Sequence, residues 1–143
     1  MNRKLLFLLC VPLLFAGCES PAGVAHYRYG NRTDRIIQVE APNTDDYGNP
    51  CTFELAPGEE DELTYMHARS VVLPPFVSSI EYVRISDGER EVTFVSRPEQ
   101  AGQKTYLYDV ESYRLVKSKK YEYWFRYDFT DRDFEDGVPI NGE

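Results

Sequence analysis

The chain has no apolar run long enough to cross a membrane as a helix. Its longest such run, Leu5 to Phe15, falls well short of the roughly 20 residues that a spanning helix needs. A short basic stretch, Asn2-Arg3-Lys4, precedes the run, and the small residues Ala16-Gly17 follow it. This order is typical of a secretory signal segment.

The segment ends in Leu14-Phe15-Ala16-Gly17-Cys18, which resembles a bacterial lipobox. The resemblance implies cleavage before Cys18, a diacylglyceryl thioether and acyl chains such as palmitate on its sulfur, and a lipid-anchored protein of the outer membrane in the cell envelope. Whether the domain faces the periplasm or the outside stays open. We therefore expect a signal peptide over residues 1–17, a lipidated tether over 18–25, a β-domain over 26–136 and a flexible C-terminus over 137–143.

Cysteine and basic residues are both scarce. Cys10 is expected to leave with the signal peptide and Cys18 to carry lipid, so Cys51 has no partner for an internal disulfide. The 16 basic residues face 24 acidic ones, and removal of Arg3 and Lys4 leaves 14. A net charge of −10 repels nucleic acid and anionic headgroups, so we expect no nucleic-acid partner, membrane attachment through lipid alone, and a soluble monomer.

A helical stripe of apolar residues is also missing, whereas alternating patterns are frequent. Eleven Tyr and eight Phe, with many turn formers between them, favour short strands. The candidate strands are Val24–Tyr29, Arg35–Ala41, Cys51–Ala56, Asp61–His67, Ser70–Val77, Ser79–Ser86, Glu89–Ser96, one or two within Thr105–Lys117, and Tyr121–Phe129. Asp87-Gly88 predicts a hairpin, and Thr130 an N-cap. The pattern predicts an all-β, mostly antiparallel sandwich or barrel of about eight strands.

Three short segments of the chain, at residues 31–37, 55–59 and 121–133, resemble parts of the small, largely uncharacterised lipoproteins of the Bacteroidota. Asn31-Arg32-Thr33 with Arg35-Ile36-Ile37 is similar to their first strand pair, and Leu55–Glu59 to the Pro-Gly-Glu turn that follows. Tyr121–Asp133 is similar to their closing strand. The resemblance implies an immunoglobulin-like or transthyretin-like domain and an envelope location, and it brings no catalytic residue.

The chain has few residues suited to catalysis. A nucleophile needs a base within hydrogen-bond reach, and the sequence contains neither a Gly-x-Ser-x-Gly nor a His-Glu-x-x-His motif. His26, His67 and Cys51 are the candidates, and a Cys51–His67 pair requires neighbouring strands. Asp131–Gly137 departs from the calcium-loop pattern, because Asp136 occupies the glycine position. We expect no enzyme activity, no cofactor and no metal site.

Trp124 interrupts the polar side of its strand, which places its indole on the face opposite Tyr123 and Phe125. We expect it to be a recognition residue if that face is exposed, with the loop around Asp45 and Tyr47 as the other candidate surface. The leading hypothesis is a non-enzymatic binding or accessory module for a protein or glycan. Assembly through a strand edge and a hydrolase with an unrecognised site remain the alternatives.

Overall fold

The computed structural model describes residues 22–41, 52–67, 76 and 82–140. Within them the chain is mostly β, with nine strands in two sheets, consistent with the predicted sandwich. The strands are β1 (Gly23–Asn31), β2 (Ile37–Glu40), β3 (Phe53–Leu55), β4 (Glu60–His67), β5 (Tyr82–Ser86), β6 (Arg90–Val95), β7 (Arg114–Lys119), β8 (Glu122–Phe129) and β9 (Val138–Pro139).

The four-stranded sheet has the order β4-β1-β8-β7. Its central pair, β1 and β8, runs parallel, whereas the other strand pairs among the described residues are antiparallel, so the expectation of mostly antiparallel pairing is confirmed with this one exception. Tight turns impose antiparallel pairing only on consecutive strands, and these two strands come from opposite ends of the domain. β1 also begins at Gly23, so residues 23–25 belong to the sheet and not to the predicted tether.

The five-stranded sheet has the order β3-β2-β5-β6-β9. The predicted hairpin is confirmed between β5 and β6, where Gly88 has a φ of 86° that suits a residue without a side chain. The carboxylate of Asp87 accepts the backbone N–H groups of Glu89 and Arg90 at 3.0 and 2.7 Å. β9 pairs with β6, which places Val138 and Pro139 of the predicted C-terminal segment 137–143 in the sheet.

The inward faces of both sheets form one aromatic core. Ala25, Tyr27 and Tyr29 of β1 are fully buried, as strand alternation requires. The rings of Tyr27 and Phe125 stack at 5.0 Å within one sheet, and Tyr29 contacts Phe53 of the other sheet at 5.3 Å. Complete burial of such a side chain contributes about 1.5–3 kcal/mol, so these contacts hold the sheets together.

The strand predicted between Thr105 and Lys117 is wrong over its first half. Residues 106–108 and 110–112 form two 3-10 turns, and β7 begins only at Arg114. Asp109 caps the second turn by accepting the N–H of Glu111 at 3.0 Å, a local bond that competes with a strand ladder. The hydroxyl of Tyr113 donates to the carbonyl of Leu107 at 2.8 Å and fixes both turns against the core.

Candidate functional site

The outer surface of the four-stranded sheet carries the side chains that alternate with the aromatic core. Its middle row joins Thr64 of β4, His26 of β1, Trp124 of β8 and Lys117 of β7, which are successive cross-strand partners. We call the surface around this row the Trp124 face. The next row along the strands brings Glu62, Arg28, Arg126 and Arg114 together in the same way.

Trp124 lies half-buried at the centre of this face. Its ring stacks on His26, with the centroids 5.0 Å apart and the planes within 5°. The ammonium groups of Lys117 and Lys119 lie 4.5 and 5.7 Å from the indole, within the range of a cation–π attraction. A hollow of about 240 Å³ opens beside the ring, between Arg28, Glu62, Val116 and Lys117. The indole is therefore held in place and still borders open space.

His26 is fixed by polar contacts at both ring nitrogens. Nδ1 lies 3.0 Å from Oε1 of Glu62 and 3.3 Å from the hydroxyl of Thr64, and Nε2 lies 3.3 Å from Oε1 of Glu122. A nitrogen that donates to Glu62 cannot accept the proton of Thr64, so the closer carboxylate competes with any use of this histidine as a base. The arrangement orients the ring against Trp124.

A network of ion pairs borders the Trp124 face at the C-terminal ends of β1 and β8. The guanidinium of Arg126 contacts the carboxylates of both Glu60 and Asp128, and Arg32 contacts the same two groups at 3.1 Å each. The hydrogen bond from Arg126 lowers the pKa of Glu60. Burial alone would raise the pKa of Asp128, but the hydrogen bond and charge of Arg126 outweigh it and lower that pKa. Both groups therefore stay ionised and keep Arg126 in position.

A second polar cluster lines a cavity of about 730 Å³ next to the 3-10 turn Asp131–Phe134. The buried carboxylate of Asp133 accepts the hydroxyls of Tyr106 and Tyr127, and it also accepts the N–H and hydroxyl of Thr130. Burial, and then the charge of Asp133, raises the pKa of both tyrosines, so they remain donors. Four donors satisfy the carboxylate, and the cluster joins the turn to β8.

Thr130 and Asp133 also form the N-terminal capping interaction of this turn, as the sequence predicts for Thr130. Acidic residues on either side of Asp133 form salt bridges with basic side chains of the chain. Asp131 pairs with Arg35 at 2.9 Å, and Asp136 pairs with Lys104 at 3.7 Å. Among the described residues, no group of three His, Cys, Asp or Glu side chains has an arrangement that could hold a metal ion.

The structure places Trp124 on the outer face of its sheet, as the alternation predicts. Cys18, Asp45, Tyr47 and Cys51 lie outside the described residues, so the structure does not test whether Cys51 lies near His67. His67 itself is buried at the end of β4, where its ring lies 5.8 Å from that of Tyr123. None of the described helical segments has the length and hydrophobicity that crossing a bilayer requires.

The sequence argument missed His26 as the partner of Trp124. The alternation of β1 places the side chains of His26 and Tyr27 on opposite faces of the sheet, but only the parallel register of β1 with β8 brings His26 beside the indole.

The chain matches no protein-family model, and the comparisons with curated proteins and with solved structures found no match either.

Proposed function

We propose that this chain is a non-enzymatic binding or accessory module of a bacterial cell envelope, anchored through lipid on Cys18. In this proposal it is a small lipoprotein of the Bacteroidota type with an immunoglobulin-like or transthyretin-like domain. Two sheets of four and five strands are compatible with such a domain. Its partner is a protein or a glycan rather than a nucleic acid, because the strongly acidic chain repels phosphate backbones.

The observation that carries this proposal is the placement of Trp124. A large amphipathic ring lies on an outer sheet face, half-buried and fixed by His26, beside a hollow lined with charged groups. Tryptophan and arginine are enriched among residues that dominate binding energy. A ring already fixed in position loses little conformational entropy when a partner contacts it. These properties favour recognition over catalysis at this face.

Trp124 is the single tryptophan of the chain, so its fluorescence reports on the candidate surface alone. We expect titration with a panel of defined oligosaccharides and synthetic peptides to give a saturable change in emission with one class of probe. The Trp124→Phe variant, which cannot report by this fluorescence, is compared with the unaltered chain by calorimetry and should bind that probe more weakly. A chain whose emission and heat respond to none of the probes contradicts the proposal.

Assembly through a strand edge is the second candidate, and β7 favours it. All six residues of Arg114–Lys119 are exposed, and β7 is the last strand of its sheet in the described part of the chain. An edge of this kind has unpaired backbone groups that another strand can bind.

A further inference from the structure

The free edge of β7 lies next to the Trp124 face and has an unusual composition. Leu115 and Val116 are exposed by 52% and 59%. A bulge between Leu115 and Lys117 interrupts the pairing with β8. The edge thus combines two exposed apolar side chains with backbone donors and acceptors that are unpaired on the side away from β8 within the described residues.

Charge distinguishes this edge from the rest of the molecule. The segment 114–120 reads RLVKSKK, with four basic residues and no acidic one, in a chain with an acidic excess of eight. Two of the lysines, Lys117 and Lys119, also lie over the Trp124 ring. Lysines on an edge strand disfavour pairing with a like-charged strand, so a second copy of β7 is a poor partner. An acidic strand is a favourable partner, because its carboxylates carry the charge that complements these lysines.

We propose that β7 binds an acidic, extended peptide segment of a partner protein as an added strand. The backbone of the segment pairs with the outer edge of Arg114–Lys119, its carboxylates meet Lys117 and Lys119, and its apolar residues cover Leu115 and Val116. This inference rests on the proposed function, since it names the partner of the surface that Trp124 and Lys117 share. The bulge at Val116 limits the paired stretch to a few residues on either side.

The test uses the full chain in detergent and two synthetic octapeptides, one alternating Glu with Val and the other alternating Lys with Val. We expect calorimetry to detect binding of the acidic peptide only, with affinity that falls as salt screens the charges. Lys117→Glu should weaken this binding roughly tenfold or more through like-charge repulsion. The matched reversal Arg97→Glu, in the exposed segment after β6 of the other sheet, should change it by less than about twofold, because Arg97 is not part of the β7 edge that binds the peptide.

Two measurements separate strand addition from simple charge attraction. N-methylation of the acidic peptide at one set of alternate residues should abolish binding, and methylation at the other set should leave it intact, because a strand turns only every second N–H toward its neighbour. Hydrogen exchange of the β7 amides that point away from β8 should slow only when the peptide is added, whereas the amides paired with β8 are protected in both cases. Binding that is unchanged by methylation at either set of residues, or protection without peptide of the β7 amides that point away from β8, overturns the inference.

The same titrations distinguish the inference from the function on which it rests. If an oligosaccharide changes the fluorescence of Trp124 and the acidic peptide does not bind, the proposed function stands and strand addition at β7 is wrong. If no probe binds, both fail. Equal binding of the acidic and basic peptides contradicts the role of the lysines.

Discussion

Trp124 stacks face to face on His26, on neighbouring parallel strands that begin about a hundred residues apart in the chain. The contact is polar at one end, where two carboxylates hold the imidazole, and cationic at the other, where Lys117 covers the indole. Such a ring pair presents a rigid flat surface of mixed character. This relationship leads to a prediction that separates recognition from packing.

Trp124→Ala should cost less stability than truncation of a core aromatic residue. Trp124 is half-buried, whereas Phe125 on the same strand faces the core and is 8% exposed. We expect Phe125→Ala to lower the free energy of unfolding by about 3–5 kcal/mol and Trp124→Ala by clearly less. Urea denaturation of the two variants measures both. Equal losses would show that Trp124 serves packing, and would move the candidate surface to the loop around Asp45 and Tyr47.

Cys18→Ser should prevent lipid attachment and leave an unprocessed precursor, because the thioether needs the sulfur. Metabolic labelling with a palmitate analogue and the electrophoretic mobility of the chain measure the two effects. Cys10→Ser is the matched control, since it lies inside the predicted signal segment and should be lipidated normally. A Cys18→Ser chain of mature size would contradict the lipoprotein proposal.

Local alternation made much of the fold predictable. The inward positions of β1 and β8, including Tyr27 and Phe125, follow from the two-residue period, and the β5–β6 hairpin follows from Asp87-Gly88. The parallel pairing of β1 with β8 was not predictable, because local pattern holds no information on which distant strands meet. The turns at 106–112 were missed because the tyrosine alternation suggested a strand and concealed the cap at Asp109.

The candidate site was predictable only in part for the same reason. The outward direction of Trp124 follows from its own strand. Its contact with His26 depends on the register between β1 and β8, and a shift by one residue would bring Tyr27 to the position opposite it. β9 was missed because two residues, one of them proline, give no measurable alternation.

Asp87 should make stability depend on pH in the acidic range. Burial alone would raise the pKa of Asp87, but hydrogen bonds from the Arg90 and Glu89 amides and the charges of Arg35 and Arg90 outweigh it and lower that pKa. A lowered pKa means that this stabilisation is complete above the unfolded value of about 3.9 and is lost as the pH falls through the folded value.

Asp87→Asn should therefore reduce the free energy of unfolding at pH 7, by about 1–3 kcal/mol for the charged hydrogen bonds, and flatten its decline below about pH 4. Denaturant unfolding between pH 2 and 7 measures the profile. Asp34→Asn provides the control, because the Asp34 side chain is 94% exposed and lies 3.9 Å from its nearest cation, Arg35. Identical acid profiles for the Asp87 variant and the unaltered chain would contradict this role.

The Asp133 cluster should couple the last 3-10 turn to the sheet energetically. Tyr127→Phe removes one donor and should cost about 1 kcal/mol, since three donors remain on the carboxylate. Asp133→Ala leaves two half-buried tyrosine hydroxyls without their acceptor and should cost more, about 2–3 kcal/mol. In the double variant, Tyr127→Phe should add little to the Asp133→Ala loss, because the bond it removes is already absent. Urea denaturation of the four chains gives the coupling energy. Additive losses would mean that the Tyr127 hydroxyl stabilises the chain independently of the Asp133 carboxylate, because phenylalanine keeps the ring contacts with Tyr106 and Tyr113.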